Sequence, residues 1–368
     1  MTQWGKRDDM VVHEREPYNA EPPRRALAEA GGTTPLDAFY VRNHGPVPVP
    51  ERLPDAAAWR LTVDGLVAQP QQLSLADLRD RFAETEVVAT LQCAGNRRAG
   101  LAEVRDIPGE DPWGPGATST ASWTGVRLAD VLAEAGLRPQ AAHIAFAAPD
   151  VSRIADPPQP YGGSVPVGKA CSPEVLLAWA MNGEPLPAVH GAPLRAVVPG
   201  WIGARSVKWL QCVTARPQPS DNYFQTTAYR ILPPEADPAT APPHEGIRLG
   251  PIALNCDILR PGPGDSPLPT GPTDITGYAL AGDGRTVARV DVSLDDGRTW
   301  TQARLDPQPG PWTWRRWRTV LDLPPGTVRL TARAWDSTGA AQPESPAHLW
   351  NPKGYGNNSW ARVRLHCR

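Results

Sequence analysis

Proline restricts this chain more than any other residue. There are 44 prolines among 368 residues, and each one inside a helix would remove a hydrogen bond and clash with the preceding turn, at about 3 kcal/mol. Long helices are therefore disfavoured, and with 14 tryptophans present the expectation is a strand-rich, loop-rich fold. Glycine and proline together make 77 residues, short of the ~25–30% at which a chain defaults to disorder. The run LPPEADPATAPPHEG at 232–246 reads as a linker. It separates an expected first domain, 36–240, from a second, 247–368. The length is also too great for one small core.

Hydrophobic residues make up 40% and charged residues 21%, ordinary for a globular protein. A net charge of −2 gives no reason to expect nucleic acid or an anionic membrane as partner. The basic residues are lopsided: all but Lys6, Lys169, Lys208 and Lys353 are arginine, so each lysine stands out. Five cysteines, at 93, 171, 212, 256 and 367, contain no CxxC pair. That pattern argues against a disulfide framework, a zinc site or an attached c-type haem. The opening MTQWGKRDDMVVHEREPYN lacks a signal peptide's apolar core, and Arg24-Arg25 precedes ALAEAGG, not an apolar stretch. No segment approaches 18 apolar residues, so a cytoplasmic protein without a membrane partner is expected.

Short signals place the elements. SLADLRDRF has Ser74 as N-cap with Asp77 three residues on, a capping-box start. RLADVLAEAG ends on Gly136, where a left-handed C-terminal residue belongs. SPEVLLAWAMNG, with Ser172 as cap, Pro173 at the first position and Glu174 in the first turn, reads as a helix. RAVVPG and SVKWLQCVTA are rich in β-branched residues and read as strands. Residues 1–35 are expected to form an extended polar arm, because REPYNAEPPRRAL is too broken by proline for a helix. Further on, VARVDVSLDDGRTWTQARL alternates and turns at Asp296-Gly297 into a hairpin, and GTVRLTARAWDSTG is a strand running into a turn. The expected class is α+β: a mixed first domain followed by a β-sandwich.

The functional signal is VVATLQCAGNRRAG, 87–100. An apolar run stops at Cys93; Gly95 permits close backbone approach, Asn96 favours a turn, and Arg97 and Arg98 crowd positive charge beside the sulfur. Taken alone, a buried cysteine is usually a small hydrophobe. Cationic neighbours instead stabilise the thiolate, the form that ligates metals or attacks electrophiles. A soft thiolate beside guanidinium groups suits a metal centre that meets an oxyanion.

LQCAGNRR resembles the molybdenum-ligand motif of the sulfite oxidase family. The likeness continues through FYVRNHGPVP (39–48), WGPGATSTASWTGVRL (113–128), YGGSVPV (161–167), MNGEPLPAVHGAPLRAVVPGWIGARSVKWL (181–210) and LWNPKGYGNNSWARV (349–363). The opening EPYNAEPPRRAL is similar to the haem-free plant-type enzymes. This resemblance implies a catalytic domain carrying one molybdenum–molybdopterin per subunit, followed by an immunoglobulin-like domain that makes a homodimer. It implies that Cys93 is the metal's protein ligand, and that Tyr40, Val41, Arg42, Asn43 and His44 line the pterin and the metal approach. His190, Arg195, Ser206, Val207 and Lys208 would hold the pterin phosphate region, and Asp150 would contact the pterin. The residue types agree, since a phosphate and polar pterin edges want Arg, Lys, His and N–H donors.

The same resemblance implies a sulfite pocket of Arg42, Arg98, Trp113 and Tyr229. Lys353 stands where relatives carry an arginine that reaches in from the second domain. Guanidinium forks would hold two sulfite oxygens and leave the sulfur lone pair free, while the Tyr229 phenol donates to an oxygen. Trp113 would close the pocket wall or belong to the core; WTWRRW at 312–317 alternates like a strand face and reads as packing. The implied reaction is oxidation of sulfite to sulfate by oxygen-atom transfer. With no cytochrome-b5-like region and no CxxCH, no haem is expected, and electrons would pass to an external acceptor, dioxygen or a cytochrome. Two alternatives stay open: a nitrate- or sulfoxide-handling enzyme of the same superfamily, and a non-catalytic β-rich binding protein in which Cys93 is inert.

Overall fold

The segment expected to be an extended polar arm is folded into the molecule. The structure, a computed structural model, describes residues 3–48 and 56–368, so the arm's first two residues lie outside the described residues. Strands Val11–Arg15 and Tyr18–Glu21 form a hairpin whose second strand is buried along its whole length. A helix, Arg24–Glu29, then starts immediately after Pro23. The prolines precede its first turn, where a missing N–H is tolerated and proline's φ near −65° leads into the helix. Burial of Ala26 and Leu27 does the rest.

Between the arm and the linker lie two five-stranded sheets. The first runs Glu184–Pro185, Leu176–Met181, Thr118–Arg127, Glu84–Gln92, with Arg195–Val197 also paired to Leu176–Met181. The second runs Gln71–Leu73, Leu61–Gly65, Cys212–Arg216, His143–Ser152, Gln159–Pro166. Only the Leu61–Gly65 and Cys212–Arg216 pair in that sheet is parallel. Helix Leu75–Arg81 carries the expected capping box: the Ser74 hydroxyl accepts from the Asp77 N–H, and the Asp77 carboxylate accepts from the Ser74 N–H. Helix Leu128–Glu134 ends as expected, with Gly136 left-handed at φ +71°. The main apolar core lies against the second sheet and includes Val63, Leu78, Leu128, Phe146 and Val213.

The helix expected from Ser172 is instead a central strand, Leu176–Met181. Its cap-like opening SPEV forms a turn, and Asn182 and Gly183, at φ +54° and +79°, make the tight turn into Glu184–Pro185. Leu176, Leu177, Ala178 and Met181 are all fully buried. A strand covered on both faces shows an unbroken apolar run, which periodicity alone does not separate from a buried helix.

The proline-rich stretch contains neither helix nor strand, yet it is no free tether. Arg230–Ile231 pairs with Ile247–Arg248 across it, and the Arg230 guanidinium donates to the carbonyls of His244, Glu245 and Gly246. The second domain is a sandwich of two four-stranded antiparallel sheets. One runs Asn255–Arg260, Gly271–Leu280, Arg315–Leu323, Arg304–Leu305; the other runs Thr301–Gln302, Val287–Ser293, Gly326–Asp336, Ala361–Cys367. The expected hairpin turns at Asp296-Gly297, both residues having positive φ. The core between the sheets includes Ile258, Val290, Trp317, Leu330 and Val363.

The two domains close on the cysteine loop. Gly356 N–H donates to the Ala94 carbonyl at 2.9 Å, and Asn357 Nδ2 donates to the Arg97 carbonyl at 2.8 Å. Helix Arg24–Glu29 clasps the same seam: Arg24 pairs with Asp257 at 2.6 Å, and Leu27 packs with Leu259, Tyr278 and Trp314.

Candidate active site

Cys93 follows directly on strand Glu84–Gln92 and is held by a hydrogen bond from its N–H to the Ala117 carbonyl, 2.8 Å. The turn after it returns the Gly95 N–H to within 3.4 Å of Sγ. Gly95 leaves room for the neighbouring side chain: a Cβ there would lie 2.7 Å from the Arg98 guanidinium carbon. The two arginines part company at this point. Arg97, left-handed at φ +65°, turns away from the sulfur. It donates to the carbonyls of Ser359 and Trp360 and lies 3.3 Å from the Asp257 carboxylate. The expectation that both arginines bear on Cys93 is therefore corrected: Arg97 joins the domains, and Arg98 and Arg42 supply the charge that the sulfur feels.

Cys93 borders a cleft. Tyr40, Arg42, Asn43, His44, Asp150, His190, Arg195, Ser206, Lys208 and Tyr229 line it too, so the fold gathers nearly all of the proposed cofactor residues. Val41 and Val207 do not line it. Both side chains sit in the main core, and their backbones pair with Ala20 and Ala196. Phe39, Tyr161 and Trp209 join the lining without having been singled out. Tyr161 stacks on His44 with ring centres 4.4 Å apart and donates to the Ala204 carbonyl. It lies in the flagged stretch YGGSVPV, but an apolar-looking strand gave no sign that its ring would form a site wall.

The cleft is rich in buried cations and poor in anions. The Arg195 guanidinium donates to the carbonyls of His190 and Ser206 at 2.8 and 3.0 Å and lies 4.8 Å from the Trp123 ring. Lys208 donates to Asn43 Oδ1 and the Val189 carbonyl. Among the described residues, Asp150 is the one carboxylate in the lining, and its Oδ1 has no partner; burial pushes it up to about 7 against the pull of Lys208. Burial, aided by Arg195, holds Lys208 well below the usual lysine range, and burial lowers Arg195 to about 10. Unpaired buried charge costs several kcal/mol per ion. Such a cleft fits an anionic group.

A second cleft opens on the other side of Arg42, His44 and Tyr229, which line both. Lys353 and Tyr355 enter it from the second domain, and Glu110 and Asp111 also line it. Lys353 is only 9% exposed; burial lowers its pKa and Glu110 opposes that. Of the pocket expected for sulfite, Arg42, Tyr229 and Lys353 meet here, but Arg98 and Trp113 line neither cleft. Arg98 pairs with Glu110 at 3.1 Å and donates to the carbonyls of Asp111 and Lys353. Trp113 is fully buried in the cluster around Cys93, its ring 4.5 Å from that of His13. His44 Nε2 and the Tyr229 hydroxyl are 2.6 Å apart. Burial raises the phenol, while burial, with Arg42 and Lys208, holds the imidazole far below its usual range, so both are neutral.

Burial also pushes the Cys93 thiol up, against Arg42 and Arg98. A metal reverses that balance, since a coordinated thiol is deprotonated outright. Among the described residues, no cluster of three or more His, Cys, Asp and Glu side chains forms a metal cage. A metal at Cys93 would take its other ligands from a cofactor. The residues fit a metal that arrives on an anionic carrier.

Residues 44–224 match the oxidoreductase molybdopterin binding domain, and residues 252–368 match the Mo-co oxidoreductase dimerisation domain. Sulfite oxidase of Gallus gallus is 42% identical over 362 residues, covering 95% of this chain and 76% of that protein. Sulfite oxidase of Arabidopsis thaliana is 37% identical over 382 residues, covering 97% and 93%. The crystal structure of the sulfane dehydrogenase SoxCD from Paracoccus pantotrophus aligns with a TM-score of 0.80 at 29% identity, over 97% of this chain and 86% of that one. This chain belongs to the sulfite oxidase family of molybdopterin-dependent oxidoreductases.

Proposed function

We propose that the protein oxidises sulfite to sulfate at a molybdenum–molybdopterin centre, one per subunit, and passes the electrons to an external acceptor, dioxygen or a cytochrome. When bound, that centre supplies the transferred oxygen atom and takes up the two electrons. Cys93 ligates the metal as thiolate. Arg195, Lys208, His190 and Ser206 hold the pterin phosphate region with charge and hydrogen bonds, and Asp150 with Tyr40, Asn43 and His44 contacts the pterin and metal approach. In the second cleft, Arg42 and Lys353 draw in and orient the oxyanion, with Arg98 adding charge from behind. His44 sets the Tyr229 proton: when imidazole Nε2 carries a hydrogen and donates to the phenol, the phenolic O–H is free to donate to a sulfite oxygen.

The observation that carries this reading is the shared wall of Arg42, His44 and Tyr229. An anion entering past Lys353 meets it on one side, and Cys93 borders the cleft on the other. A non-catalytic module would have no use for two clefts sharing a wall and lined by buried cations. We further read the sandwich as an immunoglobulin-like dimerisation domain of a homodimer, acting in the cytoplasm and without haem in this chain, which contains no CxxCH. No helix among the described residues is long and apolar enough to cross a membrane.

The test is expression in a host that makes molybdopterin, followed by metal and pterin analysis and sulfite-dependent turnover with dioxygen and with a cytochrome. Molybdenum-loaded protein should turn over sulfite with at least one of them. Loaded protein that ignores sulfite, and whose reduced form is instead reoxidised by nitrate, would establish the reductase alternative.

A further inference from the structure

Lys6 belongs to a segment that would ordinarily be dismissed as an N-terminal tail, yet it is only 4% exposed. Its ammonium reaches the Leu36 carbonyl at 2.5 Å, the Phe39 carbonyl at 3.0 Å and His190 Nε2 at 2.6 Å. An ammonium has three hydrogens and no acceptor. Two can go to the carbonyls, and the third can be donated to the ring only if His190 Nε2 is bare. The imidazole proton then sits on Nδ1. His190 and Phe39 both line the cleft beside Cys93, so Lys6 stands directly behind that wall.

None of these partners is a carboxylate. Burial drags Lys6 down to about 7, with only the field of Asp37 opposing it. Lys6 also lowers His190, as do Lys208 and Arg195. The wall therefore concentrates cations that Asp37 and Asp150 offset only in part, a costly arrangement unless an outside anion completes it.

We propose that Lys6 is a positioning residue for the cofactor: it fixes His190 as the Nδ1–H tautomer and adds an inner positive charge that the anionic part of the pterin cofactor neutralises. The N-terminal segment is thereby part of the cofactor site. This rests on the reading of the cleft as a molybdopterin site.

Two variants test it in the full chain. Lys6→Met removes charge and donors, and Lys6→Gln keeps a donor for the imidazole but no charge. Both should shed molybdopterin from purified enzyme about tenfold faster or more, the factor one charge-assisted hydrogen bond is worth. In protein made without cofactor, nitrogen-15 NMR should find bare Nε2 in wild type and in Lys6→Gln, and a proton on Nε2 in Lys6→Met. Should Lys6→Met fail to fold, pterin release from Lys6→Gln decides. Wild-type release rates in both variants, or an unchanged His190 tautomer in Lys6→Met, overturns the proposal. Wild type that holds no pterin at all defeats the reading of the cleft instead, and the tautomer measurement still judges Lys6.

Discussion

Adjacent residues with like charge do different work here because one backbone angle separates them. Arg97 and Arg98 read alike in NRRAG, but the positive φ of Arg97 sends it to the second domain while Arg98 stays beneath the cysteine loop. Cys93→Ser should leave the pterin bound, abolish sulfite turnover and remove the thiolate-to-molybdenum absorption band; undiminished turnover would end its role as ligand. Lys353→Met should raise the KM for sulfite about tenfold, one charge-assisted hydrogen bond of roughly 1.5 kcal/mol, while Lys353→Arg should match wild type or improve on it. Steady-state kinetics in which the methionine variant equals wild type would remove Lys353 from the pocket. Lys6 also gives a pH signature in cofactor-free protein. Its folded pKa is lowered from 10.5 to about 7. As pH falls through 10.5 the unfolded chain takes up this proton first, so stability declines until the folded pKa is reached, by about 1.4 kcal/mol per pH unit at most. Melting curves between pH 10 and pH 7 should show a smaller decline for Lys6→Met than for wild type.

At the scale of elements, legibility followed locality. The capping box at Ser74, the left-handed Gly136 and the turn at Asp296-Gly297 depend on a few neighbouring residues, and all three could be read directly. The strand Leu176–Met181 could not, because its character comes from being covered on both faces. Helix Arg24–Glu29 was hidden for a related reason: its two turns gain stability from Leu27 in the seam, not from intrinsic propensity. Leu27 is fully buried among Ile252, Leu259, Tyr278, Leu280 and Trp314. Leu27→Ala should therefore destabilise the protein by about 2–5 kcal/mol, visible as a lower midpoint in urea unfolding. A change below half a kcal/mol would mean that the helix is not holding the seam.

The second cleft is made from both domains, so their seam lines it. Lys353 and Tyr355 come from the second domain; Arg42, His44 and Tyr229 come from the first. Several tryptophans of the second domain are engaged within the chain. Trp314 and Trp317 are buried, and Trp300, Trp335 and Trp360 surround the Arg333 guanidinium. An exposed apolar residue remains at Val320, on the face of strand Arg315–Leu323. Light scattering should still give twice the chain mass across micromolar concentrations, as a dimerisation domain requires; a constant single-chain mass would exclude the homodimer.

What the sequence determined by itself was the division into an α+β domain and a sandwich, the cysteine loop, and the set of residues that would gather around it. The division and the cysteine loop rest on residue type and local spacing, which a linear reading retains; the set of gathered residues came from the family resemblance of several motifs. Tertiary structure alone decided that Arg97 leaves the site, that Arg98 and Trp113 stand behind the pocket, and that Lys6, 184 residues from His190, reaches its ring. Each of these depends on where burial and left-handed backbone turn a side chain once distant segments meet. An isolated stretch carries no record of the charges and carbonyls that will surround it.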